Sequence, residues 1–171
     1  MALRQQLGTT HPDNDLLRLE HAQSYTNVGV GTQKSEGREL LERAIEILQV
    51  LADRFPDQPL YREYLSLGYQ NLAHRFAYDH AEEAIPFHEF AIDLRAQLAN
   101  EQPESKKAHI QWAQSHQDLA ETLEKLTPRL TEAREHCEDS IRILMGYFNL
   151  HPELPEVKSH IANSLNKLAH T

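Results

Sequence analysis

The sequence predicts an all-α fold, an α-solenoid of about three helical hairpins plus a terminal helix. Three observations lead there: four stretches repeat one another, their apolar residues keep a helical period, and all length variation falls in one loop. Pro12, Pro56, Pro103 and Pro152 open the stretches PDNDLLRLEHAQSYTNVG, PDQPLYREYLSLGYQNLA, PESKKAHIQWAQSHQDLA and PELPEVKSHIANSLNKLA. Five residues after each proline stand Leu17, Tyr61, Ala108 and Val157. Sixteen after stand Val28, Leu72, Leu119 and Leu168, each followed by a tiny residue: Gly29, Ala73, Ala120 or Ala169. Such recurrence marks stacked supersecondary units, none able to bury its apolar face alone.

The second half of each unit repeats too. Ala44, Ala91 and Ser140 each lie twelve residues before the next proline, and Ile45, Ile92 and Ile141 follow them directly. Seven residues earlier come Gly37, Ala84 and Ala133. The prolines are 44, 47 and 49 residues apart, while the gap between the two small residues is 8, 11 and 13, so 36 residues remain each time. The variation sits in one internal loop, where insertions are tolerated. The repeats therefore span 12–55, 56–102 and 103–151, with the leading helix of a fourth over 152–171.

Taken in order, each half-unit reads as a helix, since apolar and small residues recur at three- and four-residue spacing without sustained alternation. Pro59 and Pro155 suit the first turn of their leading helices, where a missing N–H costs nothing. Asp79 with Glu82 has capping-box spacing ahead of the second helix of repeat 2. Pro86 requires that helix either to begin near Glu82 or to bend. Thr127-Pro128 reads as an N-cap and first-turn proline for the second helix of repeat 3.

Composition fits a soluble helical array, with 40% hydrophobic and 25% charged residues and six glycines. The net charge of −9 disfavours nucleic acid and anionic membrane, which select clustered basic residues. No apolar run has transmembrane length and the first residues lack a signal-peptide core, so a cytoplasmic location is expected. Cys137 is the single cysteine and reads as a structural thiol on the apolar side of its helix. The eleven histidines include no pair at the three- or four-residue spacing of helical metal ligands. His21 and His116 share repeat positions with Leu65, Tyr69, Trp112 and Leu165, so they are expected to pack. No metal, no cofactor and no catalytic constellation is expected.

The small-residue pattern, Leu72-Ala73 followed by Ala84 and Ala91, resembles the tetratricopeptide repeat, in which small residues let paired helices approach closely. Leu119-Ala120 with Ala133 and Ser140, and Val28-Gly29 with Gly37 and Ala44, follow it. Residues 1–11 then look like the end of an earlier second helix. These repeats are longer than the common 34-residue form. They are similar to the long repeats of bacterial multidomain proteins, where arrays often follow serine/threonine kinase domains. No kinase motif occurs in these residues.

In that family the leading helices line a concave groove, and the resemblance implies the same surface. On the side of the leading helices away from the apolar stripe stand Gln23, Thr26 and Asn27, then Gln70, Asn71 and His74, then Gln114 and Gln117, then Asn163 and Asn166. Amides donate and accept at once, which matches a peptide backbone without charge; alternatively these are ordinary solvent-facing residues. The groove lacks the Lys and Arg of the carboxylate-clamp type. The expected function is a non-catalytic scaffold that binds a protein or peptide. The alternative is a regulatory or targeting segment of a larger bacterial serine/threonine kinase or other signalling protein. A metal- or small-molecule-binding enzyme ranks last. Ile161, Leu165 and Leu168 form an apolar stripe on the final helix, through which self-association is expected.

Overall fold

The computed structural model describes residues 14–32 and 34–170, with Lys34 and Thr127 described through their backbone alone. The segment 1–11, expected to end an earlier helix, lies outside the described residues. The described residues form seven α-helices and one 3-10 turn, with no strand among them. The helices are α1 (Asp15–Gly31), α2 (Lys34–Arg54), α3 (Pro59–Phe76), α4 (Ala81–Glu101), α5 (Lys106–Leu123), α6 (Leu130–Leu150) and α7 (Pro155–His170). The chain divides into two compact units, Met1–Arg75 and Phe76–Thr171. Among the described residues no helix is long and apolar enough to cross a membrane.

The starts of the helices follow local chemistry. Asn14 and Ser105 cap α1 and α5, their side-chain oxygens accepting from the Leu17 and Ala108 amides at 3.2 and 3.3 Å. Pro59 and Pro155 are the first residues of α3 and α7. Two expected starts differ. Helix α4 begins at Ala81 with His80 as its N-cap, one residue after the expected Asp79, because the Phe76 carbonyl accepts the Asp79 and His80 amides and extends the preceding turn. Pro86 then lies within α4, where it forgoes a bond to the exposed first-turn carbonyl of Glu82, which water can satisfy. At Thr127-Pro128 the chain makes a 3-10 turn, Thr127–Arg129, and α6 starts only at Leu130. Arg129 instead anchors that start, bonding Glu132 at 2.9 Å and Glu82 at 3.3 Å.

In the first unit, α1 and α2 touch backbone to backbone. A methyl group built on Gly29 would lie 3.0 Å from the Gly37 carbonyl oxygen, and one on Gly37 only 2.6 Å from that of Gly29. The last carbonyls of α1 are then satisfied by side chains: Thr32 donates to Val28, and Arg75 donates from Nη2 to Gly29 and, at 3.2 Å, to Val30. Leu41, Ala44, Leu48 and Leu51 of α2 are fully buried. Gly68 of α3 admits Ile45, whose Cγ1 would be 3.0 Å from an added methyl.

The second unit holds two apolar clusters. Ile85, Leu119, Ala120, Leu123, Ala133 and Cys137 form one, with Leu168 packed on it; Ala113, Leu144, Tyr147 and Val157 form the other, with Ile161 against it. Close packing also traps polar groups. Thr122 donates its hydroxyl to the Asp118 carbonyl, so the 2.9 Å contact from buried His88 must be a donation from Nε2. Arg95, also buried, donates to Ser115 Oγ at 2.7 Å and to the Gln111 carbonyl at 3.2 Å; burial lowers its pKa, opposed by the Asp118 charge. Of the C-terminal stripe, Leu165 is 49% exposed while Ile161 and Leu168 are half-buried.

The recurring small residues occupy the tight places: Ala73 and Ala133 have no exposed surface and Ala120 has 1%. Ala169, at the repeat position of Ala73 and Ala120, is exposed. Gly37→Ala and Ala120→Leu are each expected to lower stability by about 1–3 kcal/mol through overpacking. Gly146→Ala, where an added methyl meets nothing within 4 Å, should be neutral or slightly stabilising in the same denaturant melts. A Gly37→Ala midpoint equal to that of Gly146→Ala would show that the α1–α2 approach is not tight.

Candidate functional site

Three of the groove residues meet in the first unit. Gln23, Thr26 and Asn27 of α1 face Tyr64 and Leu67 of α3 across a half-open cleft of about 280 Å³, with Leu48 of α2 also in its wall. Asn27 is exposed and Gln23 half-buried. Thr26 is buried, and its hydroxyl donates to the Ala22 carbonyl at 3.0 Å. It therefore offers the cleft a methyl group and an acceptor oxygen. Leu67, at a repeat position that elsewhere carries an amide, is 40% exposed and makes one wall apolar. The arrangement suits an extended chain, with amides for its backbone and Tyr64 and Leu67 for an apolar side chain. Gln70, Asn71 and His74 do not line this cleft; the first two are half-buried and His74 is exposed.

In the second unit Gln114, Asn163 and Asn166 are exposed, but Gln117 is not a solvent-facing groove residue. Its Nε2 donates to Ser140 Oγ at 3.1 Å and to Ser164 Oγ, joining α5 to α6 and α7. Both serines are fully buried and 3.2 Å apart. The hydroxyl arithmetic closes: Ser164 donates to the His160 carbonyl, so Ser140 donates to Ser164, and the two amide protons of Gln117 serve both oxygens. The helical register put Gln117 on the side of α5 away from the apolar stripe. It did not reveal that α7 brings a buried serine to that side.

A third constellation was not anticipated. His116 of α5 and His136 of α6 approach with their Nδ1 atoms 3.0 Å apart, and Asp139 Oδ2 lies 3.8 Å from His116 Nδ1. One donor atom from each of the three residues falls within 4.8 Å of the other two, a set that suits a metal ion. Burial pushes the His116 imidazole down to about 4, with His136 and Arg142 adding to the shift and Asp139 opposing it. His136 is lowered as well, again by burial, against the pull of Asp139, Glu89, Glu132 and Glu135. Burial thus outweighs the attraction to Asp139, and both rings are neutral at pH 7. His116 and Asp139 also line a cleft of about 480 Å³ with His109, Trp112, Arg142 and Tyr147. His109 stacks on Tyr147, ring centroids 4.5 Å apart.

The expected packing of His116 is observed: the ring is buried. A search for paired histidines along one helix misses this set because its helical pair is mixed, His136 and Asp139. Those two stand one turn apart on a single face, and that spacing was the signal available. Compared with known proteins, the chain matches no family model, no curated protein and no solved structure.

Gln117→Ala strips a donor from two buried hydroxyls and is expected to cost about 1–3 kcal/mol. Gln114→Ala, at an exposed position about one turn away on the same helix, should change stability by less than about 0.5 kcal/mol. Denaturant melts of both variants check this, and equal midpoints would return Gln117 to the solvent-facing class.

Proposed function

We propose that this chain is a non-catalytic, tetratricopeptide-like helical-repeat scaffold that binds an extended protein or peptide segment. The observation that carries the proposal is the cleft in the first unit, where Gln23, Thr26 and Asn27 of one leading helix face Tyr64 and Leu67 of the next. The resemblance in the small-residue pattern supports the same reading, because repeats of that family use their leading helices for recognition. The described residues lining the cleft include no basic side chain, which favours a neutral backbone over a terminal carboxylate as the recognised group.

The energetics set the scale of the test. A neutral hydrogen bond contributes about 0.5–1.5 kcal/mol net, so losing two weakens binding by about 5- to 150-fold if the terms add. Peptides selected against the intact chain from a random displayed library would be titrated against the parent and a Gln23→Ala/Asn27→Ala double variant. The expected outcome is that weakening, with melting curves unchanged because both side chains reach solvent. Selected peptides that bind the double variant as tightly as the parent would overturn the assignment of this cleft. A library that yields no binder would count against peptide recognition altogether.

A further inference from the structure

The second unit holds chemistry that a peptide scaffold does not require. We propose that His116, His136 and Asp139 form a binding site for a divalent transition metal of the zinc class, with one coordination position open to the cleft between α5 and α6. The site uses only second-unit residues and stands independently of the peptide-binding proposal.

Geometry carries the case. Zinc bonds to imidazole nitrogen and carboxylate oxygen are about 2.0–2.2 Å, which places neighbouring donors of a tetrahedral site about 3.3–3.5 Å apart. The two Nδ1 atoms are 3.0 Å apart, Asp139 Oδ2 lies 3.8 Å from His116 Nδ1, and donor atoms of all three residues fall within 4.8 Å of one another, so side-chain adjustment without movement of the helices brings them into range. Two neutral nitrogens that close must share a proton, carried by one and pointing at the lone pair of the other. On binding of a metal ion that proton would move, through solvent, to the Nε2 of its own ring, leaving both Nδ1 lone pairs to the ion. His136 and Asp139 lie on one face of α6, and α5 supplies His116 from across the hairpin, so helices rather than loops fix all three donors.

The surroundings are those of a metal site. Asp139 is oriented by Arg142, whose Nη1 bonds Oδ1 and leaves Oδ2 turned to His116, the kind of outer contact that fixes a ligand's direction. The Arg142 charge opposes a cation, but Glu89, Glu132 and Glu135 act on His136 in the other direction. His116 and Asp139 both reach the cleft wall, so a three-ligand ion would present its fourth position to a space of about 480 Å³. Trp112, in the same wall, has a buried indole N–H that finds no hydrogen-bond partner among the described residues. Imidazole and carboxylate together select zinc, cobalt or nickel over magnesium or calcium, which prefer all-oxygen shells.

The test uses the full chain, stripped of metal by chelator dialysis. Zn²⁺ is titrated in competition with a chromophoric chelator at pH 7, and Co²⁺ is added separately to read the coordination number from its visible absorption. One ion per chain should bind far more tightly than any other, and Co²⁺ should give the intense bands of a four-coordinate site. His136→Gln and Asp139→Asn should each weaken the tight site by at least about 10- to 100-fold, the cost already typical of losing an outer-shell partner. His170→Gln, an exposed histidine, should leave affinity unchanged. His116 is too buried to serve as the main variant; should His136→Gln fail to fold, Asp139→Asn decides by the same criterion. Absence of a tight one-to-one site, or a tight site indifferent to Asp139→Asn, would overturn the assignment.

Discussion

How closely two helices can lie sets the terms for everything else in this protein. Where glycine or alanine stands at a crossing, the approach is limited by backbone atoms rather than side chains, as at Gly29 and Gly37, where one glycine's carbonyl oxygen would collide with a methyl on the other. Close-packed interiors gain dispersion energy at such contacts but leave no room for solvent. A polar atom caught there is costly unless it finds a protein partner. The buried pairs follow from that demand: His88 with Thr122, Arg95 with Ser115, and Gln117 with two serines. Ser140 shows the coupling in one residue. It stands where the other repeats carry Ala44 and Ala91, small enough to keep the crossing tight, and its hydroxyl then recruits Gln117.

The repeat was legible because its determinants are local. A tiny residue after a leucine, an isoleucine after the next small residue and a proline between units are all readable without knowing what packs where. Helix starts were harder. Asp79 has the right residue type and spacing for a cap, but the Phe76 carbonyl claims the next two turn amides, and this competition over a single hydrogen-bond acceptor shifted the start to Ala81. The site residues divide along the same line. Gln23 and Asn27 could be placed from the face of one helix. Gln117 could not, because its partners come from two other helices, 23 and 47 residues further along the chain.

The imidazole–carboxylate cluster lies beyond that horizon for a related reason. Helical periodicity tells which residues share a face of α6, so His136 and Asp139 are a readable pair. That His116 meets them depends on how α5 is rotated and shifted against α6, which small residues such as Ala120 and Ala133 determine by letting the two helices settle into one register. The same close packing that dries the core lowers the proton affinity of both rings. In this unit, then, the scaffold's mechanical requirement and the chemistry of the imidazoles share a cause.

One contact bears on the order in which the chain acquires its structure. Most stabilising contacts of a helical hairpin join residues close in sequence, which allows rapid local folding. The Arg75 guanidinium departs from this, closing the last carbonyls of α1 from 46 residues downstream. A nascent chain emerges from the ribosome at about 5–20 residues per second, so the end of α1 waits roughly 2–9 seconds for the side chain that completes it. During that interval, among the described residues, the glycine-rich close of α1 has Thr32 as the nearby side-chain donor to a terminal carbonyl. The first hairpin is thus born unfinished, and the third helix serves as its clasp as well as its neighbour.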